Sequence, residues 1–122
     1  MTGAIVASWG NSVRGRESKS LEVFGKALAH FEALAKQGRV HSHKEYIALT
    51  GNASRLSGFQ IIEGEVEELQ KILIEDDFRT LQVEASAIVE NFTVTLYAGG
   101  SDRTVQELIT RYAEATAGLG YL

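Results

Sequence analysis

The sequence contains neither cysteine nor proline, and none of its apolar runs approaches the length that crosses a membrane. Because cysteine is absent, disulfides, thiolate catalysis, iron–sulfur clusters and cysteine-based zinc sites are excluded, and the composition suits a reducing compartment. A membrane-spanning helix needs about 20 consecutive apolar residues. The first residues also lack the basic segment of a secretory signal, so we expect a cytoplasmic protein with no membrane partner.

The motifs of several well-known site types are missing as well. The sequence has no glycine-rich phosphate loop and no nucleophile elbow, so nucleotide-dependent and serine-hydrolase chemistry are not expected. The net charge is −4 and the pI is near 5.4. A nucleic acid partner is not expected either, because neutralising phosphates requires a basic surface. No motif indicates a specific reaction, and we expect no cofactor.

The charges are distributed unevenly along the chain. Basic residues dominate positions 14–39, whereas acidic residues dominate positions 63–77. Runs of this kind usually lie on solvated helix faces. Two alternatives are that the oppositely charged segments pack against each other, or that they steer a charged ligand.

Length and composition indicate a single globular domain over residues 1–122. The chain is 44% hydrophobic and 23% charged, and this length supports one hydrophobic core but not two. Residues 4–9 are apolar on both alternating faces, which is typical of a strand near the middle of a sheet. We therefore expect one domain whose first element is a central strand.

Two segments show the spacing of amphipathic helices. The first stripe predicts a helix that is capped by Ser18 or Ser20 and ends just before Gly38. The second stripe starts at Glu65 and is expected to break near residues 75–77, before a short helical piece around Phe78. Between the two helices, residues 40–50 and 58–63 have the pattern of a hairpin.

The sharpest alternation in the sequence lies in residues 87–97, which we predict to form the last strand. One face is apolar, and the other carries small or amphipathic polar side chains: Asn91, Thr93, Thr95 and Tyr97. These groups suit a semi-polar ligand cleft or a hydrated subunit seam, because each offers a hydrogen bond on little bulk. The alternative is that these residues have no binding role and that threonine occurs here because it favours strands. Ser101 is expected to cap a final helix ending near residues 118–120.

The predicted order is therefore strand, helix, strand, strand, helix, strand and one extra helix, an α+β fold with a four-stranded antiparallel sheet. Helices on one side leave the other side of the sheet uncovered. How that side is lined decides whether the protein dimerises, binds a ligand, or does both. We expect a homodimer in which the uncovered sides of two copies meet.

This order of elements resembles the dimeric α+β barrel superfamily, in which two ferredoxin-like subunits place their open sheets together around a central cavity. Within the superfamily, residues 30–40 (HFEALAKQGRV) resemble the helix-to-strand passage of the YCII-related proteins, and residues 76–78 stand where those proteins often have Asp-Pro-Phe. The resemblance implies that His30 and Asp77 form an acid–base pair. Helical geometry places His30 at the flank of the apolar stripe, so a surface histidine is the alternative.

His41, His43 and Glu45 are a second candidate for chemistry. On a strand the three side chains point to the same side, and two imidazoles with one carboxylate can ligate a divalent metal. The same alternation continues into apolar residues, so the three would face the hydrophobic side of the sheet unless a bulge near Lys44 reverses the register. We expect hydrogen-bonded or solvated polar residues rather than a metal site, and His41 and His43 remain candidates for ligand binding.

Trp9 and Asn11 complete the candidate ligand-binding residues. They resemble the polar–aromatic pairing that lines cavities in the monooxygenases of the same superfamily, although a tryptophan at a strand end is more often a core residue. Three functions stay open. The first is binding of a small, partly apolar organic ligand in the sheet cavity. The second is a cofactor-free oxygenase, isomerase or lyase, and the third is a purely structural interaction module.

Overall fold

The computed structural model describes residues 1–51 and 54–120 and contains a four-stranded sheet with helices. Its elements, in chain order, are β1 (Thr2–Trp9), α1 (Glu17–Lys36), β2 (Ser42–Ile47), β3 (Gly58–Glu65), α2 (Val66–Ile74), α3 (Asp76–Ile88), β4 (Thr93–Ala98) and α4 (Asp102–Gly118). The predicted order of strands and helices is confirmed, with the second helical region divided into α2 and α3. None of the helices in the described chain is long and apolar enough to cross a membrane.

All strand pairs in the sheet are antiparallel, and the strand order is β2-β3-β1-β4. β1 is therefore a central strand, as its two apolar faces predicted. Ile5 pairs with Ile62 of β3 and with Leu96 of β4. Because successive side chains point to opposite sides of a strand, this register assigns each sheet residue either to the side covered by helices or to the uncovered side.

The hydrophobic core lies between the sheet and the helices. Ile5, Ile62, Leu69 and Ile72 are fully buried, and α1 and α3 add Phe31, Leu34 and Phe78 to the same cluster. Burying one such aliphatic side chain stabilises the fold by about 1.5–3 kcal/mol. The core therefore holds α1, α2 and α3 on one side of the sheet.

The other side of the sheet, which we call the open face, is half-buried or exposed. It consists of Ala4, Val6, Ser8, Ser42, Lys44, Tyr46, Phe59, Ile61, Glu63, Thr93, Thr95 and Tyr97. Tyr46 stacks on Phe59 with 5.0 Å between ring centroids, and the hydroxyl oxygens of Ser8 and Thr93 lie 2.6 Å apart. The predicted alternation of β4 is confirmed from Thr93 to Tyr97.

Several predicted boundaries are wrong. Residues 87–88 belong to α3, because Phe78 and Ile88 are both buried and extend the helical stripe beyond the short piece expected. Asn91 lies in the turn before β4 with φ +55°, so it does not share the strand face of the threonines. Neither Ser18 nor Ser20 caps α1, which begins at Glu17 without a side-chain cap. The strand predicted over residues 40–50 is shorter and ends at Ile47.

Candidate functional site

A cavity of about 320 Å³, which we call the apolar cavity, lies between the helix-covered side of the sheet and helices α1 and α3. Trp9 and Val94 line it from the sheet, Phe24 from α1 and Ala85 from α3. The rings of Trp9 and Phe24 meet edge to face, with 5.7 Å between their centroids. Among the described residues that line this cavity, none is ionisable. The cavity therefore suits an uncharged, mostly apolar molecule.

Gln60 on β3 is the buried polar side chain of the apolar cavity. It is 4% exposed, and its Nε2 atom has no hydrogen-bond partner in the described structure. An unpaired buried amide costs about 1–3 kcal/mol. Gln60 sits opposite Ala7 of β1 and Glu45 of β2. A ligand that carries a carbonyl or hydroxyl oxygen can relieve this cost by accepting a hydrogen bond from the amide.

Sequence reasoning missed Gln60, although the sequence contained a usable signal. In the predicted strand over residues 58–63, Gln60 shares its face with Gly58 and Ile62 and is the one polar side chain on it. A lone amide on the core side of a central strand is costly unless something pairs with it. That rule would have marked Gln60 as a candidate binding residue.

A second cavity of about 450 Å³, which we call the polar cavity, lies where the C-terminal half of α1 meets the start of α3. Its polar lining residues are His30, Gln37, Arg39, Glu75, Asp76 and Asp77. The structure therefore brings the predicted pair His30 and Asp77 to one cavity. The Nε2 atom of His30 is enclosed and has no hydrogen-bond partner in the described structure, so His30 is more enclosed than its flanking position on the helix suggested.

Arg39 organises the wall of the polar cavity through two carboxylates. It donates two hydrogen bonds to Glu75, at 2.9 and 2.8 Å, and one to Glu68 at 2.6 Å. The guanidinium lowers the pKa of Glu75 below its usual value, and the two carboxylates raise the pKa of Arg39. The basic segment around α1 and the acidic segment around α2 thus contact each other through Arg39. Mutual packing of the two segments was one of the two alternatives that the uneven charges suggested.

His43 and Glu45 point to the helix-covered side of β2, as the alternation predicted. His43 lies between two carboxylates, with its Nε2 atom 2.9 Å from Glu32 and its Nδ1 atom 2.7 Å from Glu45. The hydrogen bond between His43 and Glu32 is the largest cause of the raised pKa of His43, and the hydrogen bond to Glu45 is the second largest. The hydrogen bond between His43 and Glu32 also lowers the pKa of Glu32. This cluster ties α1 to β2 by charge-assisted hydrogen bonds.

The remaining candidate residues are spread over different surfaces. His41 precedes β2, is exposed, and lies 3.8 Å from Glu65, so it does not converge with His43 and Glu45. Asn11 is exposed and accepts a hydrogen bond from the Ser57 hydroxyl at 3.3 Å. Of the candidate residues on or near the strands, Trp9 lines the apolar cavity, whereas Thr93, Thr95 and Tyr97 lie on the open face and line neither cavity.

No protein-family model matches the sequence, and no curated protein is significantly similar to it. Solved structures do resemble the fold. One is a dimeric ferredoxin-like protein of unknown function from Thermobifida fusca, at 10% identity and a TM-score of 0.63, with 81% of this chain and 92% of that chain covered. Another is SnoaB, a cofactor-independent oxygenase from Streptomyces nogalater, at 16% identity and a TM-score of 0.59, with coverage of 82% and 94%.

A third similar structure is an ethyl tert-butyl ether D (EthD) family protein from Bacillus halodurans. It is 12% identical, with a TM-score of 0.57, and the match covers 83% of this chain and 99% of that chain. At such identities structural likeness concerns the fold and not the activity. Together with the antiparallel order β2-β3-β1-β4 and the helices on one side of the sheet, these matches show that the chain has an α+β ferredoxin-like fold.

Proposed function

We propose that this protein binds a small, largely apolar organic molecule in the apolar cavity, with Gln60 as the polar anchor. The observation that carries the proposal is the buried amide of Gln60, whose Nε2 atom lacks a partner beside a cavity of about 320 Å³. That volume lies within the range of known small-molecule sites, about 300–1,000 Å³, and such sites typically combine an apolar lining with a few fixed polar groups. Each subunit then holds its own ligand, on the helix-covered side of the sheet rather than between two sheets.

The lining narrows the class of ligand. Aromatic rings from Trp9, Phe24 and Phe92 border the cavity, and such rings favour flat aromatic partners through stacked or edge-to-face contacts. The absence of ionisable groups among its described lining residues disfavours a charged ligand, which would lose its hydration without a counter-charge. The proposed ligand is therefore a neutral aromatic molecule with a carbonyl or hydroxyl oxygen that reaches Gln60.

We further propose that two copies associate through the open face. Val6 and Ile61 lie side by side there, bordered by the half-exposed Tyr46 and Tyr97, and contiguous apolar surface of this kind often marks an interface. The structural relative from Thermobifida fusca is described as dimeric. In this arrangement Thr93, Thr95 and Tyr97 form a semi-polar subunit seam.

The ligand proposal is tested with two naphthalene probes, 2-acetylnaphthalene and 2-ethylnaphthalene, which differ in that a carbonyl group of the first replaces a methylene group of the second. We expect the wild-type protein to prefer the acetyl compound by about 5- to 10-fold, because a buried hydrogen bond contributes roughly 1–1.4 kcal/mol. Gln60→Met should abolish this preference and retain affinity for the ethyl compound. Fluorescence titration measures both affinities.

The matched control for that titration is Gln70→Met on the exposed surface of α2, which should keep the wild-type preference. Equal affinities of the wild-type protein for the two probes would contradict the role of Gln60. Failure of both probes to bind at their solubility limits would contradict the apolar cavity as a site for aromatic ligands.

The second candidate function is enzymatic and uses the polar cavity. It is favoured by the shared placement of His30 and Asp77, by the enclosed Nε2 atom of His30, and by the short sequence resemblance to the YCII-related proteins. In this proposal His30 accepts a proton from an acidic carbon of a small polar substrate. The carboxylate of Asp77 then stabilises the resulting imidazolium.

Solvent deuterium exchange at the carbon next to a carbonyl tests this proton transfer. With a small neutral ketone such as hydroxyacetone as substrate, proton NMR should show exchange faster than in buffer. His30→Gln should reduce the excess rate by about 10²-fold, the lower end of general-base effects, whereas His41→Gln, which changes an exposed histidine, should leave it unchanged. A wild-type rate equal to that of buffer contradicts this second function.

A further inference from the structure

Helix α4 presents an apolar stripe to solvent. The stripe consists of Val105, Leu108, Ile109 and Tyr112, and Ile109 is 55% exposed. Only Thr104, in the first turn of α4, is buried. Most of the stability of a helix in a protein comes from packing of its amphipathic face rather than from helix propensity. The amphipathic pattern of α4 therefore lacks its packing partner within the described subunit.

The start of α4 is fixed on the same side of the sheet as the open face. Thr2 and Ala4 are two residues apart on β1, so their side chains point to the same side of the sheet, that of the open face. The Thr2 hydroxyl lies 2.7 Å from that of Thr104 and 3.0 Å from that of Ser101, which caps α4. The first turn of α4 therefore lies next to the open face, whereas the apolar residues Ile109 and Tyr112 further along the helix are exposed.

The size of the open face indicates that it needs additional area to hold a dimer. Four strands of six to eight residues lie side by side and span roughly 19 Å by 20–26 Å, a projected area of about 380–500 Å². A standard protein–protein interface buries about 800 Å² on each partner. The apolar stripe from Val105 to Tyr112 runs about 11 Å along a helix about 10 Å wide, so it adds roughly 110 Å² of apolar surface next to the open face.

We propose that the apolar stripe of α4 packs on a second copy of this chain and completes the dimer interface. The inference rests on the proposed association through the open face and adds α4 to it. In a two-fold dimer both copies contribute the same surface, so each α4 contacts the partner subunit. Val105, Ile109 and Tyr112 are then buried in the dimer, and α4 is ordered by association.

The test is sedimentation velocity over a range of protein concentrations. We expect Ile109→Glu to weaken the dimer by about 10-fold or more, because the substitution removes a buried aliphatic side chain and adds a desolvated charge at each copy. Ile74→Glu is the matched control. Ile74 is 72% exposed on α2, outside the open face and α4, so this variant should dimerise like the wild-type protein.

The outcomes separate the role of α4 from the proposed dimer itself. If Ile109→Glu dimerises as tightly as the wild-type protein while Ile61→Lys on the open face is monomeric, the role of α4 is overturned and the open-face dimer stands. A wild-type protein that is monomeric at tens of micromolar overturns both. Ligand binding in the apolar cavity takes place inside one subunit, so the titrations with naphthalene probes report on it independently.

A second measurement on the unmodified chain guards against effects of the substitution on folding. Amide hydrogen exchange in residues 105–112 should slow as the protein concentration rises through the monomer–dimer transition, because packing suppresses fraying of α4. Exchange rates that do not depend on concentration in this segment contradict the docking of α4 on a partner.

Discussion

Lysine in place of Ile62 is expected to prevent the domain from folding, whereas lysine in place of its neighbour Ile61 should leave a folded subunit that no longer dimerises. Ile62 is fully buried and pairs with Ile5 at the centre of the sheet. A charge placed there loses its hydration with no counter-charge in the core cluster, a cost of several kcal/mol. The whole domain is expected to be stable by only about 5–15 kcal/mol.

Ile61 lies on the open face, opposite Val6 on β1 and Lys44 on β2. In a single subunit a lysine at position 61 can extend its ammonium group into water. In a dimer joined through the open face, the ammonium group of the substituted lysine would lie near that of Lys44 and near the same group of the partner copy. Circular dichroism and sedimentation velocity check the pair of variants. Two variants that fold equally well contradict the assigned register, and a dimeric Ile61→Lys contradicts the open-face interface.

Phenylalanine in place of Ala85 should abolish binding of 2-acetylnaphthalene, with a loss of affinity of about 100-fold or more. Ala85 lines the apolar cavity from α3, and a benzyl side chain there occupies the space that a flat ligand requires. The fold should tolerate the change, because the added ring enters an existing cavity rather than a closed core. Fluorescence titration measures the affinity, and thermal unfolding shows that the variant is folded.

Ala87→Phe is the matched control for that variant. Ala87 lies two residues further along α3, is exposed, and does not line the apolar cavity. This variant should bind 2-acetylnaphthalene with the wild-type affinity. If Ala85→Phe binds as tightly as Ala87→Phe in a folded protein, the ligand does not occupy the apolar cavity.

The fold could be predicted from the sequence because its signals are local. The alternation of Thr93, Val94 and Thr95 fixed the two faces of β4, and the side chain of Ser101 accepts a hydrogen bond from the backbone of Thr104 as an N-cap should. The errors lay where a local pattern admits two structures. Residues 87–88 fit an apolar strand as well as a helix, and only the burial of Ile88 against the rest of the domain decides for α3.

The candidate site was harder to predict, because it depends on contacts between distant parts of the chain. His30 and Asp77 were chosen from a short sequence resemblance, and the structure places both at the polar cavity. The threonines of β4 were chosen for their chemistry on the uncovered side of the sheet. The apolar cavity lies on the other side of the sheet and arises from the packing of α1 and α3 over Trp9 and Val94. The spacing of residues within a single helix or strand does not reveal a gap between different elements.

The most direct test of ligand binding in the apolar cavity is the measurement of intermolecular nuclear Overhauser effects with bound 2-acetylnaphthalene. Val94 and Thr95 are neighbours on β4, and their methyl groups lie on opposite sides of the sheet. Binding in the apolar cavity predicts contacts from the naphthalene protons to the methyl groups of Val94 and Ala85. Contacts to the methyl groups of Thr93 and Thr95 instead would place the ligand on the open face and contradict the proposed site.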